Sequence, residues 1–172
     1  MNASATKENF MCTMALPLRE LSVNVQREAV SAQQAYWSLA EERLAHRRSQ
    51  VIQWVKTRSL NSAMGRLVER QQSLIDLLRQ APAAPFGAEL FLKIANDLDN
   101  VVSLTNSFVD EAYDMPTGCL SVWSPRLEKI SDLNNYLDNF AESFRIASDE
   151  ACTALLADMA DKITADVLAP AQ

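Results

Sequence analysis

Between Pro17 and Pro82 the chain runs for 64 residues with no proline and with a single glycine, Gly65. A β-sandwich or barrel needs turn residues roughly every 8–12 positions. Long helices need very few. The full 172-residue sequence holds only 3 Gly and 6 Pro, so an all-α fold is predicted. A chain of this length suits one domain with a substantial core.

The breaks are easy to place. Residues 81–87 read APAAPFG. Proline lacks an amide donor and clashes with the preceding turn, so a helix must end near Gln80. Residues 114–125 read DMPTGCLSVWSP, which is long for a helix connection. Leu120, Val122 and Trp123 are therefore expected to fold back onto the bundle. One helix over residues 17–80 would span about 95 Å. The weakest helix formers lie at residues 57–65, which predicts a turn or kink near residues 59–61. Pro17 suits a first helical turn, and Ser124 followed by Pro125 suits an N-cap and first position. Ser148-Asp149-Glu150 offers another cap, leaving residues 125–168 as one helix or two. The predicted architecture is an antiparallel bundle of four or five amphipathic helices with successive helices adjacent. Residues 1–15 read as a disordered tail and residues 16–172 as a single domain.

Apolar spacing is helical throughout. Leu21, Val25, Ala29, Ala32, Tyr36 and Leu39 form one stripe. Phe91, Ile94, Leu98, Val101, Thr105, Phe108 and Ala112 form another. Leu127, Ile130, Leu133, Leu137, Phe140, Phe144, Ala147 and Ala151 form a third, and Cys152, Leu155, Leu156, Met159, Ile163 and Val167 a last one. A second stripe runs along the first segment. Val23, Val30, Trp37, Leu44 and Val51 recur every seven residues. Positions 23 and 25 are about 200° apart around a helix, so the two stripes lie on nearly opposite faces. A helix with one buried face carries one stripe. Two imply a helix packed from both sides, within the monomer or against another chain.

Charge is divided between the halves. Residues 1–81 hold 11 Lys+Arg against 7 Asp+Glu, and residues 82–172 hold 5 against 15. Arg43, Arg47, Arg48, Lys56, Arg58, Arg66 and Arg70 surround Trp54, opposed by only Glu69. Arginine beside an aromatic suits nucleic acid, charge for phosphate and ring for base. The pI of about 4.8 argues against a general polyanion binder. Pairing of these arginines, with the acidic helices of the same fold or with a partner, is the favoured expectation. The surplus acid predicts a basic partner on the face of residues 97–114.

Chemistry-bearing motifs are sparse. His46 is the only histidine, with Arg43 three positions before it, so neither a Glu-x-x-His pair nor HExxH exists. Asp97-Leu98-Asp99 lacks the glycine of a calcium loop, and Asp158 with Asp161 supplies too few ligands for a metal. No glycine-rich phosphate loop or GxSxG elbow occurs. Cys12, Cys119 and Cys152 are far apart and odd in number, which predicts reduced thiols, with Cys152 in the core. Phe10 to Leu18 is a short apolar run without a cleavage signature, and no segment approaches the roughly 20 residues of a membrane span. A cytoplasmic protein without metal, cofactor or catalytic residues is the expectation.

The function expected is that of a non-enzymatic interaction module. It would self-associate or hold a protein partner through Val23, Val30, Trp37, Leu44 and Val51, rimmed by Arg47 and Arg48. The alternatives are a nucleic-acid binder using the basic segment, and an enzyme or ligand carrier with a pocket near Trp54, Phe91, Phe108 or Trp123.

Overall fold

Three of the apolar stripes predicted from spacing lie on buried helix faces of a four-helix bundle. In the computed structural model the helices are α1 (Ala3–Leu44), α2 (Gln50–Gln80), α3 (Ala88–Tyr113) and α4 (Leu120–Leu168). The structure describes residues 3–44, 50–81, 87–115 and 120–168, and no strand occurs among them. Side chains before Leu16 and a few at the helix ends lie outside the described residues, so within the tail expected over residues 1–15 the structure describes a helical backbone from Ala3.

Polar contacts give the helix directions. Lys56 reaches Glu42 and Arg66 reaches Glu28, so α1 and α2 run antiparallel. Asn134 Nδ2 donates to Asn106 Oδ1 at 2.9 Å and Ser148 Oγ donates to the Ala88 carbonyl at 2.9 Å, so α3 and α4 run antiparallel. Gln33 Nε2 donates to Glu111 across α1 and α3, which are parallel. Arg126 donates to the carbonyl and side chain of Asn61, and Gln71 donates to the Ile130 carbonyl, across the parallel pair α2 and α4. The bundle is two antiparallel hairpins laid side by side.

This arrangement departs from the expectation that successive helices are neighbours. Helix α2 packs on α1 and α4, while α3 packs on α1 and α4, so α2 and α3 sit on a diagonal. Helix axes about 10 Å apart make that diagonal about 14 Å. Seven residues, 81–87, reach about 23 Å when extended, so the connection is long enough.

The core is apolar and confined in length. Its buried residues run from Leu18 to Leu39 on α1, Leu60 to Leu78 on α2, Phe91 to Met115 over α3 and the residues just after it, and Trp123 to Phe144 on α4. Among the described residues, Phe108, Trp123, Leu98 and Leu137 are fully enclosed. Polar groups inside it tie the helices in register. Asn134 bonds both Asn106 and the Val102 carbonyl, and Thr105 Oγ1 returns a bond to the Val101 carbonyl at 2.8 Å.

Several local expectations are corrected. No break occurs at residues 59–61, which lie inside α2; α1 ends at Leu44 and α2 begins at Gln50. Leu60, Ala63, Met64 and Leu67 are buried, and that packing overrides the weak propensity of their neighbours. Pro17 lies inside α1 rather than in its first turn. Helix α4 starts at Leu120, so Ser124 is no cap and Pro125 is internal. Ser124 Oγ bonds Glu128 Oε1 instead, at 3.1 Å. Winding the extra turn brings Trp123 into the core, which offsets the hydrogen bond that Pro125 cannot make. Val122, expected to fold inward, is exposed. Residues 125–168 belong to one helix. Cys152 is exposed, not buried, because α4 has passed the start of the antiparallel α3 at that point.

Gly65 lies inside α2, and a methyl group added there would meet only an Arg126 guanidinium nitrogen at 3.9 Å, an ordinary contact. Gly65→Ala should therefore stabilise the protein by about 0.5–1 kcal/mol, through lower unfolded-chain entropy. A urea titration should place its midpoint above that of the wild type.

Candidate interaction surface

Helix α1 has two different faces. Val25, Ala29, Ala32, Tyr36 and Leu39 are buried against α2 and α3. Val23, Val30 and Trp37 stand 49%, 39% and 50% exposed on the other side. Leu16, seven residues before Val23, extends the row and is exposed too. It stands outside the predicted row, although the same seven-residue spacing reaches it. Leu44 is the last residue of α1, with its side chain outside the described residues. Val51 does not continue the row, because it stands on α2 after the connection, where it is exposed. Arg47 and Arg48 lie outside the described residues.

Burial of Tyr36 holds this face in place. The Trp37 ring meets the Tyr36 ring edge-on, with centroids 5.3 Å apart and planes at 73°. Desolvation raises the Tyr36 pKa above its ordinary value of 10.0, and the Glu111 and Asp114 carboxylates raise it further. The outer tryptophan is thus braced by a phenol anchored against α3 and the turn after it.

The ion pairs described for Lys56 and Arg66 of the basic segment run to α1 rather than to the acidic helices. Lys56 bonds Glu42 at 3.2 Å and Arg66 bonds Glu28 at 3.0 Å, both carboxylates on α1. Arg58 lies over the exposed Trp54 ring, 5.5 Å from its centre. Arg70 is exposed, and Arg43 is half-buried in the last turn of α1. In the acidic half, Arg145 pairs with Asp99 and Glu142, and Lys162 pairs with Asp158. These bridges stay within the half of the sequence that carries them. Between the halves, the described contacts beyond apolar packing include single charged groups bonded to amides, Gln33 with Glu111 and Arg126 with Asn61, and Arg79 over the Tyr136 ring.

The described residues hold no group of three or more His, Cys, Asp or Glu side chains placed for a metal ion. No helix among them is long and apolar enough to cross a membrane. A cavity of about 180 Å³ opens between α1, α2 and α3, lined by Leu18, Ser22, Leu74, Leu78, Leu90 and Ile94 among others. It is not at the residues expected from the sequence. Phe108 and Trp123 are core, Trp54 is on the surface, and Phe91 lines a different, shallower groove beside Phe144.

The last stripe read from the sequence is the largest surprise. Leu155, Leu156, Met159 and Ile163 are at least half exposed, although their spacing is that of a buried face. Periodicity says that a face is apolar; it does not say that a neighbour reaches it.

No protein-family model, curated protein or solved structure matches this chain.

Because folding holds the Tyr36 phenol protonated, the native state binds a proton that the unfolded state releases. Stability is then complete below pH 10 and falls as pH rises through the raised native value. Tyr36→Phe should flatten that alkaline decline, measured by urea unfolding at a series of pH values from neutral to alkaline.

Proposed function

We propose that this protein is a non-enzymatic helical interaction module that holds a protein partner along the outer face of α1. The observation that carries the proposal is the exposed row Leu16, Val23, Val30 and Trp37, opposite the buried face of the same helix. A straight helix makes 3.6 residues per turn, so a seven-residue row drifts around it by about 20° per repeat. A partner helix crossing at a shallow left-handed angle follows that drift, as in coiled-coil packing. The braced Trp37 is the natural anchor, since a rigid aromatic contributes contact area with little loss of conformational freedom. Around the row lie Arg19, Glu20, Arg27, Gln34 and Glu41, a mixed polar rim suited to a protein rather than to a polyanion or an anionic bilayer.

The paired substitution Val30→Glu and Trp37→Glu places two charges on this face without touching the core. Affinity capture from the native host, quantified by mass spectrometry, should lose the principal partner with this variant and keep it with Leu156→Glu on α4. Identical captured proteins from wild type and the α1 variant, with both chains equally helical by circular dichroism, would exclude the outer α1 face.

A further inference from the structure

The cavity between α1, α2 and α3 has an apolar floor, one unpaired hydroxyl and a charged mouth. Leu18, Leu74, Leu78, Ile94 and Leu98 make the floor, and all five are buried. Ser22 lines the cavity with them. It is only 4% exposed, and its Oγ has no hydrogen-bond partner. Buried hydroxyls are ordinarily bonded, because an unpaired one has lost its hydration for nothing in return. A water molecule needs two to four polar partners to be held, and the floor offers Ser22 alone.

The exposed residues around the cavity mark its mouth. They are Leu16 and Arg19 on α1 and Lys93 on α3. Arg19 lies three positions before Ser22, so the guanidinium and the hydroxyl share one side of α1. Neither Arg19 nor Lys93 is ion-paired among the described residues. Asp97, half-buried and four positions after Lys93, is the one acid at the mouth among the described residues. Two cations against one carboxylate leave the mouth a net charge of 2 − 1 = +1.

We infer that this cavity binds a medium-chain carboxylate, its alkyl chain on the apolar floor and its head group at the mouth, between the Ser22 hydroxyl and the Arg19 and Lys93 cations. Size sets the chain. An apolar cavity of about 150 Å³ accepts benzene, a ring of six carbons. The 180 Å³ present here accepts a chain of about six to eight. A longer chain has no room on the floor unless its head group leaves the mouth. Charge sets the head group. A carboxylate accepts from the hydroxyl and from both cations, and such charge-assisted bonds are roughly twice as strong as neutral ones. An alcohol of the same length gains only the neutral bond, and an ammonium meets cations of its own sign.

The site goes beyond the outer α1 face proposed for a protein partner. Leu16 and Arg19 border both, whereas Ser22, Lys93 and the apolar floor belong to the cavity alone. Ser22 and Lys93 therefore carry the test, and its result is independent of the partner site.

Isothermal titration calorimetry of the full chain with butanoate, octanoate, dodecanoate, octan-1-ol and octylammonium tests this. Octanoate should bind with a Kd below about 1 mM. Affinity should rise about fourfold for each methylene between butanoate and octanoate, and no further at dodecanoate. Octan-1-ol and octylammonium should bind at least about fivefold more weakly than octanoate. Ser22→Ala removes an unpaired buried hydroxyl, so the free variant should melt no lower than the wild type, yet its affinity for octanoate should fall about tenfold. Lys93→Glu, on the surface of α3, should weaken octanoate about fivefold and leave octan-1-ol unchanged. Four results would overturn the proposal: no binding of octanoate at about 10 mM, octan-1-ol bound as tightly as octanoate, affinity that keeps climbing to dodecanoate, or folded Ser22→Ala and Lys93→Glu variants that bind octanoate like the wild type.

Discussion

The shortest helix sets the extent of everything else. At 26 residues α3 is roughly 39 Å long, whereas α1 and α4 have 42 and 49 residues. A helix face becomes buried only where a neighbour lies alongside it. The core is accordingly confined to a common length of about six turns, from the level of Leu18 and Leu78 to that of Leu39 and Trp123. Chain beyond that length keeps its helical backbone and its apolar spacing, but its apolar side chains meet water.

Within that length, polar contacts choose among alternative registers. Apolar stripes slide past one another by a turn at modest cost, because leucine, valine and alanine pack in several arrangements. Asn134 between Asn106 and the Val102 carbonyl, and Ser148 on the Ala88 carbonyl, do not slide without leaving buried polar groups unpaired. These contacts fix the stagger of α4 against α3. The stagger in turn decides that the helix passes its neighbour at Ser148 and projects onward. Lys56 with Glu42 and Arg66 with Glu28 play the corresponding part between α1 and α2, nearer the surface and with less energy at stake.

Much of the bundle was legible in the residues. The α3 stripe from Phe91 to Ala112 and the α4 stripe from Leu127 to Phe144 are buried as their spacing predicts, since a 3.6-residue period needs no knowledge of the neighbour. Pro82 and Pro85 marked the end of α2 correctly, because the missing amide donor is a local fact. The break near residues 59–61 failed for the opposite reason: weak local propensity there is overcome by the burial of Leu60, Ala63 and Met64. Ser124 and Pro125 misled as a start signal because the gain from enclosing Trp123 lies outside the local sequence. On α1, the second row is legible as Val23, Val30 and Trp37; Leu16 extends it, and Val51 stands on α2 instead because the chain breaks between Leu44 and Gln50.

By itself the sequence determined the all-α class, the inward faces of the helices, the separation of basic from acidic charge, and a second apolar row on α1. Each of these follows from residue type and spacing along one chain. The tertiary structure alone decided which apolar faces are covered. It placed α2 diagonally from α3, kept the described pairs of Lys56, Arg66, Arg145 and Lys162 within their own halves, and left Trp54 and the face of Leu155, Leu156, Met159 and Ile163 in solvent. The reason is physical: burial is a property of two surfaces at a distance of contact, and the spacing of residues along one helix specifies only the first of them.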